Sequence, residues 1–154
     1  MAFPMSVSGE FPLASRSAQG ADAPRLLARL AEAFQDGGLG VAPRSSTLLA
    51  FHAGWGAPWP FMGCSGTLEI ESGDPGRLTY RVSLRAWALA LALAVPIAAF
   101  LLLEQERAIA PIHQFALLLV ALPLGWLGAM ALVHRVIGSR VRRRLADILG
   151  AVAG

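Results

Sequence analysis

Four spacings of hydrophobic residues succeed one another along this 154-residue chain, and each predicts a different element. Between Asp22 and Gly38, the residues Leu26, Leu27, Leu30, Ala31 and Phe34 recur at helical spacing. Asp22 suits an N-cap, Pro24 a first turn, and Gly37–Gly38 a stop, so a helix with one apolar face is predicted there. Further on, Leu68 and Ile70 alternate with polar residues, as do Leu78, Tyr80, Val82 and Leu84. Two half-buried strands follow from that period, joined through Gly73-Asp74-Pro75-Gly76, and Ser45–Ala53 reads as a third strand.

Register can be narrowed from the same alternation. Keeping both apolar sets on one face requires that opposed residues sum to an even number. A sum of 150 sets Glu69 against Arg81, and a sum of 148 sets Glu71 against Arg77. Either choice puts a glutamate–arginine pair on the polar face, worth roughly a few tenths of a kcal/mol.

The third pattern is continuous. Ala86–Leu103 is eighteen residues without a charge, and Phe115–Val133 is nineteen. At about 1.5 Å per residue each approaches the roughly 30 Å of a hydrocarbon core, and the rest of the chain is too small to bury both. The expectation is an α-helical membrane hairpin of two transmembrane helices. Finally, Ile137, Val141, Leu145, Ile148 and Val152 share one helical face, which predicts a C-terminal amphipathic helix.

The expected organisation is a disordered arm over 1–21 and a small cytoplasmic α+β domain over 22–85, with one helix and about three antiparallel strands. A transmembrane hairpin follows over 86–133, with 104–113 as its outer loop, and then a basic interfacial helix over 134–154.

Composition agrees with a membrane class. Hydrophobic residues make up 55% and charged residues 15%, against about 25% charged in soluble domains. The opening residues carry no basic segment followed by an apolar run, so no cleavable leader is predicted. All thirteen basic residues are arginine, a usage that fits a GC-rich bacterial genome and hence a bacterial inner membrane. Near the ends of the runs, three (Arg77, Arg81, Arg85) come shortly before the first, Arg107 lies between them, and five follow the second. By the positive-inside bias both termini are cytoplasmic. The five that follow, Arg135, Arg140, Arg142, Arg143 and Arg144, are expected to contact anionic lipid headgroups. Nucleic acid is disfavoured, because this tail has no aromatic residue on which a base could stack.

Candidate chemistry is sparse. Neither apolar run holds an ionisable residue, which disfavours a proton relay or ion path. Ala121, Gly125 and Ala129 form a stripe of small residues suited to helix packing. Trp55, Trp59, Phe61 and Met62 make the loop from Gly54 to Gly66 too apolar for a solvated connection. These four are the candidate partner or interface surface, with Trp59 expected to be more buried than Trp55. Cys64 and His52 are the one nucleophile–base pair on offer, without an evident orienting carboxylate. No P-loop, zinc spacing or dinucleotide fingerprint is present. No catalytic residue, cofactor or metal is therefore expected. The function expected is that of an integral-membrane accessory or scaffold subunit, which presents its domain to a protein partner or a second copy. Its rivals are a holin-like pore and a membrane enzyme using Cys64 and His52.

Overall fold

Alternation of side chains along five short strands builds one antiparallel sheet and gives it two unlike faces. The computed structural model describes residues 5–13, 22–71, 76–105 and 111–153. The strands are β1 (Ser6–Leu13), β2 (Gly40–Pro43), β3 (Leu48–His52), β4 (Ser65–Glu71) and β5 (Gly76–Ser83), in the spatial order β1-β5-β4-β3-β2. Three helices complete the fold: α1 (Asp22–Asp36), α2 (Arg85–Gln105) and α3 (Pro111–Ala153).

The inner face of the sheet carries Val7, Leu13, Leu49, Phe51, Leu68, Ile70, Leu78, Tyr80 and Val82, all buried. Over them lie α1, through Leu26, Leu27, Leu30 and Phe34, and the C-terminal part of α3, through Ile137, Val141, Leu145 and Leu149. Two glycines make this packing possible. A side-chain carbon on Gly9 would lie 2.5 Å from the Tyr80 hydroxyl, and one on Gly66 would lie 2.8 Å from the Phe51 ring. Polar contacts hold α3 in place at both ends of its packed segment. His134 Nε2 donates to Ser6 O at 3.3 Å, and Arg29 Nη1 donates to Val152 O at 3.3 Å.

The two-span hairpin predicted from the continuous runs is corrected by this structure. Among the described residues one helical stretch, Leu119–Val152, is long and apolar enough to cross a membrane. The described apolar stretch of α2, Arg85–Leu101, is too short; its seventeen residues rise only about 25 Å. The sheet has five strands rather than three. Ser6–Leu13 lies within the expected disordered arm yet pairs with β5 along its whole length, while 1–4 and 14–21 fall outside the described residues. There is also no separate C-terminal amphipathic helix. α3 runs unbroken past Gly138, and its apolar stripe is covered by the sheet domain, so that face is not free to lie in a headgroup layer. Of the expected outer loop, 106–110 lie outside the described residues, and so does the turn at 72–75.

Candidate functional site

The β4–β5 register sums to 148: Ile70 faces Leu78, Glu71 faces Arg77, and Glu69 faces Thr79 rather than Arg81. Arg77 makes its ion pair with Glu10 of β1, at 3.3 Å. Arg81 is left between Thr67 on one side and Ser8 on the other. Among the described residues the ion pairs are Arg77–Glu10 and Arg25–Asp22, so Arg81 has no carboxylate partner there.

Registers across the whole sheet order the outer, uncovered face into rows. Nearest α2 the row is Ser6, Ser83, Ser65, His52 and Gly40. The next is Ser8, Arg81, Thr67, Ala50 and Ala42. Glu10, Thr79 and Glu69 come after these, farther from α2. The carboxylates thus collect at the far end, and the helix end holds hydroxyls, arginine and histidine. A groove of about 980 Å³ opens over that helix end. Arg44, Arg81, Arg85 and His52 line it together with Trp55 and Leu89, and no aspartate or glutamate does.

Beside this groove sits the loop between β3 and β4. Successive tight turns fold it: Ala57 N donates to Gly54 O, Phe61 N to Pro58 O, and Cys64 N to Phe61 O. Phe61 is not on the surface as expected but in the core, edge-on to Phe34 (5.7 Å) and Phe51 (5.8 Å). Met62 is half-buried, and its carbonyl accepts a 2.8 Å bond from Trp87 Nε1 in the first turn of α2. Trp55 and Trp59 both remain about half exposed, at 51% and 47%, so Trp59 is not the markedly more buried of the two. Each meets Trp87 edge-on, at 5.3 and 6.3 Å. Gly63 closes the loop at a φ of +67°, with the Trp55 ring 3.2 Å from where its side chain would start. A left-handed residue packed against a ring is a place for glycine.

Past this tryptophan cluster the helices change character. Leu89, Leu93, Ile97, Phe100 and Leu101 of α2, and Leu119, Val120, Leu124, Leu127 and Leu132 of α3, are large apolar side chains left exposed. Only 11% of the most apolar stretch of α3 is buried, which is not how the core helix of a soluble protein behaves. Of the small-residue stripe, Gly125 faces Val95 of α2, Ala129 is half-buried and Ala121 is exposed. Trp126 Nε1 donates to Ala88 O at 3.3 Å and ties the two helices together just above the sheet.

The remaining candidates are scattered. Arg135, Arg140, Arg142, Arg143 and Arg144 are all exposed on α3, on the sides turned away from the core. Burial pushes the Tyr80 hydroxyl above its ordinary range, and Arg142, which favours the ionised form, offsets part of that rise. Cys64 and His52 are not brought together for chemistry. His52 is exposed on the outer face, opposite Ser65, whereas Cys64 is buried with its thiol toward Met62 O (3.6 Å) and Pro60 O (3.9 Å). Burial pushes the thiol up to about 11, away from a nucleophilic thiolate. Among the described residues no cluster of three His, Cys, Asp or Glu could hold a metal ion.

Sequence reasoning missed the basic groove. In the sequence Arg81 and Arg85 bear on topology, Arg81 also on register opposite Glu69, and Arg44 stands in no motif. The signal was the serine, threonine and alanine content of the outward positions, which becomes a site only once the register is known. Comparison with family models, curated proteins and solved structures finds no match.

Proposed function

We propose that the protein is a membrane-anchored accessory or scaffold subunit, held in the bilayer through α3, whose sheet domain rests at the membrane surface and serves a protein partner. The observation that carries this reading is the collar of exposed apolar side chains on α2 and α3, ending at Trp55, Trp59 and Trp87. Tryptophan favours the level of the headgroups, where its ring is partly greasy and its N–H is satisfied. A folded domain begins immediately below that level, and Leu84 N is bonded to Met5 O at 2.7 Å where the sheet meets α2. The arginines of the sheet domain and of the packed half of α3 favour a bacterial inner membrane with the sheet domain on its cytoplasmic side. In this reading Arg135 is the first charge beyond the apolar part of α3 and meets the headgroups.

A scaffold also fits a domain whose thiol is buried and whose histidine faces the other way. A partner is expected at the rim formed by Trp55 and Trp59, since exposed tryptophan is enriched at binding hot spots. Purification in mild detergent should recover a partner, or a second copy, at fixed stoichiometry, and Trp55→Ala with Trp59→Ala should release it without loss of folded protein. A monomer recovered alone from membranes, with the double variant indistinguishable from it, would overturn the scaffold reading.

A further inference from the structure

The groove on the outer face of the sheet lies where a lipid headgroup would be. Its floor is the row Ser83, Ser65 and the neighbouring Thr67, small hydroxyl residues that leave the backbone low and offer hydrogen bonds. Arg81 and Arg85 line the groove from β5 and the first turn of α2, Arg44 lines it from beyond β2, three strands away from Arg81, and none has a carboxylate partner among the described residues. His52 closes one side, its ring lying over Gly40, where any side-chain carbon would collide with it. Toward α2 the lining includes Trp55, Ala86 and Leu89, and Leu89 continues into the exposed apolar collar of α2 through Leu93.

A ligand that satisfies both ends is anionic at one and apolar at the other. A soluble phosphate compound would make no use of Leu89 and Leu93. An acidic peptide would use the arginines but would gain nothing from a lining continuous with the collar. We infer that this groove binds the headgroup of an anionic phospholipid of the surrounding leaflet, its phosphate held by Arg81 and Arg85 and its acyl chains along Leu89 and Leu93 of α2. Guanidinium groups suit the task because each offers several N–H donors to phosphate oxygens in a fixed plane. The serine and threonine hydroxyls take the remaining headgroup oxygens. The site would fix how the sheet sits on the bilayer, since the end of its open face with Arg81 and Arg85 is drawn toward the lipid, whereas at the far end Glu10 is neutralised by Arg77 and Glu69 adds a negative charge.

This inference rests on the membrane anchoring proposed above, and the two can fail separately. The full-length protein would be placed in nanodiscs of phosphatidylcholine with one-fifth phosphatidylglycerol, and the lipids that stay bound on release would be counted by native mass spectrometry. Wild type should retain phosphatidylglycerol in preference to phosphatidylcholine. Arg81→Gln with Arg85→Gln should lower that preference about tenfold or more, as expected for two lost phosphate contacts near a surface. Arg140→Gln with Arg143→Gln, on α3, should leave it largely unchanged. Equal retention of the two lipids by wild type would overturn the site. Equal loss in both double variants would overturn it too, by reducing it to net charge. Displacement of phosphatidylglycerol by millimolar inorganic phosphate would reassign the arginines to a free anion and overturn the lipid. Carbonate extraction of the same samples separates the readings: release of wild type from membranes sinks the anchor, whereas a retained protein without lipid preference sinks the groove alone.

Discussion

The two halves of α3 share one continuous backbone and meet different surroundings. From Leu119 to Leu132 the helix is apolar on several sides, and most of its large side chains are exposed. From Ile137 to Leu149 it is apolar along one stripe, of which Ile137, Val141, Leu145 and Leu149 are buried against the sheet and α1 and Ile148 is partly buried. Arginines fill the other sides of the second half and are absent from the first. The width of an apolar surface thus separates a helix that needs an apolar solvent from one that needs an apolar partner. His134 marks the boundary, with its bond to Ser6 O at the edge of the sheet.

Substitutions that exchange the two halves' requirements give the largest effects. Leu145→Ala, in the packed half, should cost the domain about 2–5 kcal/mol, the range for a truncated buried leucine. Chemical unfolding in detergent, followed by the tryptophan cluster, measures it. Leu124→Ala is the matched control in the exposed half and should leave that transition in place. A comparable loss from both would mean that the exposed half is also packed against protein. Leu124→Arg reverses the test. It should leave the domain folded and cost about 2.5–3.5 kcal/mol of membrane insertion, seen as release into the soluble fraction. Full retention of Leu124→Arg in carbonate-washed membranes would contradict anchoring through this half.

The comparison also shows what could be read from the chain alone. α1 was legible because its signals are local: an N-cap at Asp22, one apolar face, and glycines at 37 and 38, of which Gly38 adopts a φ of +77°. The β4–β5 pairing was narrowed to two registers by parity, and the structure takes the one that frees Arg81. β1 was hidden because Gly9 stands at an inward position where a hydrophobic residue would show the alternation, and Pro12 weakens the outward set. Gly9 is there for Tyr80, a long-range reason that leaves no local signal. β2 is four residues long and offers no period to read. The stripe on α3 was visible as a stripe, but a stripe does not say whether lipid or protein covers it. Parity also could not reveal the groove, whose three arginines lie up to forty-one positions apart, from Arg44 to Arg85.

A subtler test of the packed region uses Cys64. With its pKa raised from 9.0 to about 11 by burial, the thiolate fraction at pH 8 falls about a hundredfold below that of a free thiol. Alkylation by iodoacetamide should slow by at least that factor in the folded protein and recover in the unfolded one. Because the folded pKa is the higher, the domain is stabilised fully below pH 9 and loses that contribution as pH rises toward 11. Leu145→Ala should speed alkylation, since both side chains belong to one core. Leu124→Ala should not. Rapid alkylation of the wild type at pH 8 would show that the loop around Phe61 opens readily.

The smallest effect expected lies at the end of α3, where Arg29 of α1 donates to Val152 O. A helix C-terminus carries unpaired carbonyls and a partial negative charge, so a guanidinium there is stabilising by about 0.3–1 kcal/mol at low salt. Arg29→Gln should lose that amount, and hydrogen exchange should speed up over the last turn of α3 before anywhere else. Arg29→Lys should keep most of the charge effect while losing the planar donor. Because Arg29 is exposed, the difference should shrink as salt rises. Arg25, 3.9 Å from Asp22 with its side chain 81% exposed, is the comparison on the same helix, and Arg25→Gln should change stability less. If the two glutamine variants behave alike at low salt, the C-terminal end of α3 is held on the domain by its buried stripe without help from Arg29.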